Sequence, residues 1–195
     1  YNEEINRLAF KMATGSGKTF VMAMMILWNG INKFFYKTDK KFANQFLILT
    51  PGITIRDRLK VLNPNENENI YDQYDLIPLN YKKVISTIKL EILNWHQLQA
   101  RTKADVGRQT QKILGKKFLD NNQESDKDIV NRVCKNFSKT SNVVAINDEA
   151  HHCHKTLSEK IKDLKGDDKK EAEDELRTAT VWFDGIKKIS KIFNL

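Results

Sequence analysis

The sequence predicts an α/β domain with a mainly parallel sheet and helices on both of its faces. Its 195 residues are the length of one ordinary α/β domain, so we expect a single core. Short apolar runs typical of buried strands alternate along the chain with stretches typical of helices. Because parallel neighbouring strands need crossover connections, this alternation favours a parallel sheet covered by helices. Ligands of such sheets bind at the carboxyl ends of the strands.

The individual elements follow from these apolar runs and from the turn residues between them. We expect the first helix over residues 20–31, directly after a glycine-rich loop, and another helix from near Ile55. Pro51 and Gly52 stop a strand and begin a turn. Lysines alternate with acidic residues over 158–177, which predicts a solvated helix. The predicted strands cover residues 8–12, 45–50, 84–86, 90–93 and 142–148.

The composition excludes several classes of protein. Hydrophobic residues make up 40% of the chain, enough to bury a core, which argues against a disordered chain. No apolar run approaches the roughly 18 residues that a membrane span needs, so we expect no membrane partner. Cys134 and Cys153 are too few for a disulfide framework, and a reducing cytoplasm is the simplest compartment.

The positive charge favours an acidic partner such as nucleic acid or a bound nucleotide. Lys and Arg number 33 against 25 Asp and Glu, which leaves a formal net charge of +8. Residues 101–139 hold ten basic and five acidic residues and so supply +5 of this total. We expect this region to be a helical basic insertion. A DNA-binding role and a merely solvated surface both remain open for it.

The loop after the first predicted strand has the features of a phosphate-binding loop. In Gly15-Ser16-Gly17-Lys18-Thr19 the glycines let backbone N–H groups approach an anion, and the following helix directs the positive end of its dipole at it. Lys18 is placed to pair with the β- and γ-phosphates, and the Thr19 hydroxyl to ligate Mg²⁺. The alternative is a glycine-rich turn that only starts a helix.

Two acidic residues end the last predicted strand. Asp148 is placed to hold Mg²⁺, and Glu149 to polarise the water that attacks the γ-phosphate. The sheet is expected to bring them to the same edge as the glycine loop. The His and Cys residues at 151–154 suggest zinc, but the other Cys, Cys134, is isolated, so zinc is the weaker interpretation.

The turn after the 45–50 strand offers groups that can hold a phosphodiester backbone. Thr50 supplies a hydroxyl, Pro51 begins the turn, and two arginines near a helix start, Arg56 and Arg58, supply charge. An ordinary strand-to-helix turn with surface arginines explains the same residues equally well.

Together these motifs resemble those of the superfamily-two helicases, and most closely the helicase-like motor of the restriction subunit of type III restriction enzymes. Residues 12–19 resemble motif I, residues 46–59 motif Ia and residues 143–151 motif II. In that group Met takes the place of the first Walker glycine, as Met12 does here. The resemblance implies a RecA-like P-loop NTPase fold with ATP and Mg²⁺ as cofactors.

The resemblance also implies a role for each matching residue. Thr19 and Asp148 would hold Mg²⁺, Glu149 would activate the hydrolytic water, and His151 would couple the nucleotide state to the nucleic-acid side. Thr50, Pro51 and Arg56 would touch the backbone of double-stranded DNA. The residues that would bind the phosphates of ATP are Thr14, Gly15, Ser16, Gly17, Lys18 and Thr19.

By the same resemblance, residues 1–195 are expected to be one partial RecA-like domain of a larger protein. A second RecA-like domain with arginine fingers, a nuclease domain and a modification subunit would complete the enzyme. Since an arginine finger contributes on the order of 10³ to 10⁵ in rate, the chain alone should hydrolyse ATP poorly. Two alternatives stay open, an RNA helicase of the DEAH-box type and a nucleotide-binding regulatory module without turnover.

Overall fold

The structure is a computed structural model that describes residues 8–101, 123–149, 167–193 and 195. Three strands alternate with helices along the described chain. In order, the elements are α1 (Lys18–Phe35), β1 (Gln45–Thr50), α2 (Ile53–Arg58), a 3₁₀ helix (Leu59–Leu62), α3 (Ile70–Gln73), a 3₁₀ helix (Leu79–Tyr81), α4 (Lys82–Ile85), β2 (Lys89–Asn94), a 3₁₀ helix (Trp95–Leu98), α5 (Asp126–Val133), β3 (Val143–Asn147) and α6 (Asp167–Ser190).

The three described strands form a parallel sheet in the order β2-β1-β3. Leu49 of β1 lies opposite Leu93 of β2 on one side and opposite Asn147 of β3 on the other. The carboxyl ends of all three strands therefore meet at one edge, here called the carboxyl edge, and their first residues meet at the opposite amino edge. The predicted strands over 45–50, 90–93 and 142–148 are confirmed to within a residue at each end.

Alternate residues of β1 enter two separate hydrophobic clusters. Phe46 and Ile48 pack with residues of α1 on one face. Leu47 and Leu49 pack on the other face with residues of α5 and α6, among them the fully buried Trp182. Because side chains of a strand alternate between its faces, β1 ties both layers together. Helices on both faces of a parallel sheet are thus confirmed.

The helix α1 is longer than the predicted 20–31 because its apolar face continues. Met22, Ala23, Ile26 and Leu27 are buried at helical spacing. The helix ends where the N–H of Tyr36 donates to the Asn32 carbonyl. A short helix, α2, begins at Ile53, two residues before the predicted start near Ile55. No helix in the described ranges combines the length and the apolar character needed to cross a bilayer.

Two predicted strands are wrong. Residues 8–13 carry no regular structure, and Leu8 and Phe10 are 79% and 55% exposed, because an apolar run becomes a strand only when a neighbouring strand pairs with it. Residues 82–85 form the helix α4, in which Val84 and Ile85 are buried. An apolar run this short has no period that separates strand from helix.

Two further predictions fall partly on residues that the structure does not describe. Of the basic insertion at 101–139, residues 102–122 lie outside the described part, and α5 is helical within the remainder. Of the charged helix expected over 158–177, the described part from residue 167 onward is helical, in α6.

Candidate functional site

The loop before α1 needs glycine at two positions. Gly15 and Gly17 have φ angles of 78° and 88°, in the left-handed region that costs other residues roughly 1–2 kcal/mol. Between them, Ser16 turns back on the chain, and both its N–H and its hydroxyl donate to the Ala13 carbonyl, at 3.2 and 2.7 Å. The loop from Ala13 to Gly17 is exposed, so a ligand can reach its backbone.

The N-terminus of α1 is built to attract an anion. The N–H groups of Phe20 and Val21 donate to the Gly17 carbonyl, which leaves those of Lys18 and Thr19 as the first donors of an 18-residue helix. No acidic residue stands in the first turn, and no side chain caps it. Lys18 instead adds positive charge at the positive end of the helix dipole, an unfavourable placement that a bound anion would relieve.

The structure brings the glycine loop and the acidic pair together. The Lys18 ammonium donates to Glu149 Oε1 at 2.8 Å, across 131 positions of the chain. Both side chains are about one-third exposed, at 32% each. Glu149 holds a φ of 56°, which is uncommon for a residue with a Cβ and characteristic of functional turns. The pair therefore lies where the loop opens to solvent.

Asp148, the residue before Glu149, directly follows β3 and is more deeply buried than the Lys18–Glu149 pair. Its N–H donates to the Leu49 carbonyl at 3.0 Å and so extends the ladder between β1 and β3 by one bond. Burial raises the pKa of the Asp148 carboxyl, the charge of Glu149 adds to that effect, and the charge of Lys18 opposes it. In turn, the hydrogen bond to Glu149 raises the pKa of Lys18, with a smaller contribution from the charge of Asp148.

This arrangement fits a nucleotide phosphate with a divalent cation. Asp148 is an almost fully buried carboxylate, 8% exposed, beside a helix N-terminus. A cation would remove the cost of charging it, and carboxylate and hydroxyl oxygens are the ligands that Mg²⁺ takes. Among the described residues, no group of three or more His, Cys, Asp or Glu side chains forms a metal site. The His and Cys residues at 151–154, including the predicted coupling residue His151, lie outside the described residues.

The turn after β1 differs from the prediction in its use of Thr50. This residue is fully buried, and its hydroxyl donates to the Gly52 carbonyl at 3.1 Å, with the Leu93 carbonyl at 3.4 Å. The side chain thus holds the turn and is not presented to a ligand. Pro51 is half-buried in that turn, and Arg56 is engaged by the neighbouring Asp57 carboxylate at 3.0 Å.

Arg58 is the second arginine of the turn after β1. Its charge lowers the pKa of Asp148. Arg58 stands at the end of α2, exposed, and only the packing of α2 near the carboxyl edge reveals its proximity to β3.

The segment after β2 is a short 3₁₀ helix with a side-chain cap at its start. Asn94 accepts a hydrogen bond from the Gln97 N–H, and the Gln97 side chain accepts one from the Asn94 N–H, at 3.2 and 3.0 Å. This reciprocal cap starts the 3₁₀ helix that follows. Trp95 packs against the second hydrophobic cluster and stacks on His96.

Comparison with known protein families gives one match. The family described as type III restriction enzyme, res subunit, matches residues 1–181. No curated protein matches the chain. No solved structure matches it either.

Proposed function

The chain belongs to the family of type III restriction enzyme res subunits, a family of superfamily-two first motor domains, and on that premise we propose that it is the ATP-binding motor domain of a DNA-acting helicase or translocase. The observation that carries the proposal is the 2.8 Å contact between Lys18 and Glu149. It joins a glycine loop at a helix N-terminus to an acidic strand end, which is the pairing that phosphoryl transfer requires.

We assign the phosphates of ATP to the loop and to the start of α1. Gly15 and Gly17 adopt positive φ angles at which a residue with a side chain would be strained. Because they have no side chain, they also leave the backbone open to a ligand. The first N–H groups of α1, with Thr14, Ser16 and Lys18 beside them, supply donors and positive charge. Thr19 and Asp148 supply oxygen ligands for Mg²⁺, which would neutralise the charge that develops on the phosphates.

Glu149 is proposed as the group that orients and deprotonates the attacking water. In the free chain it is hydrogen-bonded to Lys18, so binding of ATP would separate the two. Lys18 would then turn to the phosphates, and Glu149 would be left able to accept a proton. The pair thereby keeps both groups charged and in place before ATP arrives.

The remaining parts of the proposal rest on the family. We propose that residues 1–195 form a single RecA-like P-loop NTPase domain that acts on double-stranded DNA in the cytoplasm. A second RecA-like domain, a nuclease domain and a modification subunit would act with it. Pro51 and Arg56 would contact the DNA backbone, His151 would couple the two sites, and residues 101–139 would form a helical basic insertion.

The experiment that tests this function measures the binding of a fluorescent ATP analogue with and without Mg²⁺. We expect Mg²⁺-dependent binding that is lost in Lys18→Ala and in Asp148→Ala, because the two residues serve one site. Lys83→Ala is the matched control, since Lys83 is exposed on α4 and forms no ion pair within the described residues. Circular dichroism spectra equal to the wild type would show that the variants are folded.

The outcomes separate this proposal from its competitors. Binding that neither substitution affects, in the chain or in the full-length protein, would mean that the loop is only a turn. Tight binding with no hydrolysis in a protein that carries both motor domains would favour a regulatory module. Preference of that protein for single-stranded RNA over duplex DNA would favour an RNA helicase of the DEAH-box type.

A further inference from the structure

The C-terminal half of α1 and the connector that follows it expose an unusual number of aromatic rings. Trp28, Phe35 and Tyr36 are 60%, 56% and 60% exposed, and Phe34 lies beside them at 37%. Proteins usually bury rings of this size, and a group of exposed ones marks an interaction site. Residues 33–42 also contain four lysines and one aspartate. The nucleotide site described above uses none of these residues.

The exposed rings hold one another in place. Trp28 and Tyr36 each contact Phe42, with ring centroids 5.2 and 6.2 Å apart. Phe35 packs edge-on against Tyr81 at 5.9 Å. The rings are therefore ordered before any ligand binds, which lowers the entropic cost of stacking a flat ligand on them.

A second group of lysines lies at the same edge of the sheet. The Asn142 side chain, one residue before β3, donates to the Lys40 carbonyl, and Gln45 Nε2 donates to the Ser138 carbonyl at 2.9 Å. These bonds tie the connector to the loop that enters β3. Lys139, in that loop, also lines a cleft whose other members are Asp126, Lys127, Lys188, Lys191 and Ile192.

Most of this positive charge is not neutralised within the described chain. Lys188 pairs with Asp126 at 2.9 Å, and Lys33 donates to the Asp39 carbonyl at 2.8 Å. The other lysines of the two groups form no ion pair with a described carboxylate. With the exposed rings, they define the amino-edge surface: Trp28, Phe35, Tyr36, Lys37, Lys40, Lys41, Lys127, Lys139 and Lys191.

We propose that the amino-edge surface binds single-stranded nucleic acid. Lysines without a carboxylate partner can neutralise phosphates, and ordered aromatic faces stack with bases. Single strands are favoured over duplexes because bases must be unstacked from their neighbours to reach an aromatic ring.

The amino-edge surface lies far from the candidate nucleotide site. α1 begins at the carboxyl edge and β1 begins after the connector, so this surface lies at the opposite edge from Lys18 and Asp148.

This site goes beyond the proposed motor function, in which DNA runs past the carboxyl edge at Pro51 and Arg56. A strand held at the far edge is kept away from the nucleotide. It would be retained whatever the state of ATP, so this surface could tether nucleic acid while the motor site cycles.

The test uses fluorescence anisotropy with a labelled mixed-sequence 20-nucleotide DNA and its duplex, without nucleotide. We expect the single strand to bind more tightly than the duplex. Trp28→Ala and Tyr36→Ala should each weaken single-strand binding by about 5-fold or more, since stacking contributes roughly 1–3 kcal/mol per base. Lys40→Ala with Lys41→Ala should lower the slope of log affinity against log salt by about 0.7 per lysine.

Matched controls separate this surface from the motor site. Tyr74→Ala removes a ring that is 57% exposed but lies against Phe20 at the other end of α1, and Arg56→Ala removes the proposed duplex contact. We expect neither to change single-strand binding. Retained ATP-analogue binding in the Trp28 and Tyr36 variants would show that the nucleotide site is intact.

Several results would overturn the proposal. It fails if single-strand affinity is unchanged in the Trp28 and Tyr36 variants, or if Arg56→Ala alone abolishes it. It fails too if the duplex binds as tightly as the single strand, or if only anionic lipid vesicles or an acidic polypeptide bind this surface. Loss of ATP binding in Lys18→Ala with oligonucleotide binding preserved would support both sites. Oligonucleotide binding by a wild-type chain that binds no ATP would contradict only the motor function.

Discussion

The carboxylate of Glu149 and the ammonium of Lys18 neutralise each other at the mouth of the site. Each is about one-third exposed, so water screens their attraction and the pair is weak. The pair can therefore orient both side chains without preventing ATP from replacing Glu149 as the partner of Lys18.

A first prediction concerns the removal of the charge on Glu149. Glu149→Gln should bind the ATP analogue up to about 5-fold more tightly, because Lys18 no longer has to leave an ion pair. Its hydrolysis rate in a protein with both motor domains should fall by about 100-fold or more, because the amide cannot accept a proton. Titration and steady-state turnover check the two parts. Hydrolysis at the wild-type rate would contradict the role given to Glu149.

A second prediction concerns the pH dependence of stability at Asp148. Burial raises the pKa of this carboxyl above its ordinary value of 3.8, so the folded state binds the proton more tightly than the unfolded state does. Its favourable contribution to stability is therefore present below 3.8 and is lost as the pH rises through the raised pKa. At neutral pH the buried charge is a cost that Asp148→Asn removes.

We accordingly expect Asp148→Asn to melt at a higher temperature than the wild type at neutral pH, in the absence of Mg²⁺. The difference should shrink as the pH falls toward about 4. Asp57→Asn is the control of opposite sign, because the hydrogen bond from Arg56 lowers the pKa of Asp57. Thermal unfolding followed by circular dichroism at several pH values measures both. A lower melting temperature for Asp148→Asn at neutral pH would contradict this account.

Among the elements, α1 runs from the carboxyl edge of the sheet to its amino edge and contributes residues to both. Its N-terminus forms the candidate site, and its C-terminal turn leads to the amino-edge surface. Between them it packs closely on the segment before β2, where a Cβ added at Gly30 would lie 2.5 Å from Ile88 Cδ1. The glycine thus lets the helix approach the chain that enters β2, at the expense of helix propensity.

A third prediction tests this contact. Gly30→Ala gains about 1 kcal/mol of helix propensity but overpacks a fully buried neighbour, which costs about 1–3 kcal/mol. We expect a net loss in the free energy of unfolding of up to about 2 kcal/mol, measured by urea denaturation. Ile88→Val in the same chain removes the nearest atom and should restore part of the loss. Met24→Ala, on the exposed face of α1, is the control and should change the free energy of unfolding by less than about 0.5 kcal/mol.

At the scale of the whole molecule, β1 is the element on which both layers depend. Phe46 and Leu47 are adjacent and both fully buried, but they belong to clusters on opposite faces. If residues 1–195 form one domain, damage to either face should lower the stability of both. The packing therefore offers a test of the single-domain proposal.

A fourth prediction states the result of that test. Phe46→Ala and Leu47→Ala should each lower the free energy of unfolding by about 3 kcal/mol, because each leaves a cavity in a packed cluster. Both should unfold in one transition that is the same by far-ultraviolet circular dichroism and by tryptophan fluorescence. Leu79→Ala, at a residue 83% exposed, should be close to wild type. Two separate transitions would mean that the faces fold independently.

The strands of the described sheet were largely predictable, and the exceptions have physical causes. The strand Gln45–Thr50 contains an unbroken apolar run over residues 46–49 and ends at a proline and a glycine, so both the run and its end can be recognised locally. Val84 and Ile85 are apolar because α4 packs on α1, and the four residues of this helix are too few to show a period. Residues 8–12 are apolar as well, but strand formation depends on a partner that the sequence does not identify.

The candidate site was predictable in its residue types but not in its contacts. Gly15, Lys18, Thr19, Asp148 and Glu149 were identified from their types and spacing, since phosphate and Mg²⁺ chemistry restricts the choice of side chain. Their assignment to a nucleotide site stays a prediction. The burial of the Thr50 hydroxyl, the charge of Arg58 near Asp148 and the left-handed conformation of Glu149 depend on packing between segments far apart in the chain.

The alternation of strands and helices, the family and the residue types of two loops could be predicted from the sequence, because these depend on local pattern. The contact of Lys18 with Glu149, the burial of Asp148 and the exposure of the aromatic rings beside the lysines of a second loop became visible only in the folded chain. The physical reason is that a parallel sheet aligns strand ends that are far apart in sequence. Burial, charge and exposure at those ends are therefore set by neighbours that no local pattern encodes.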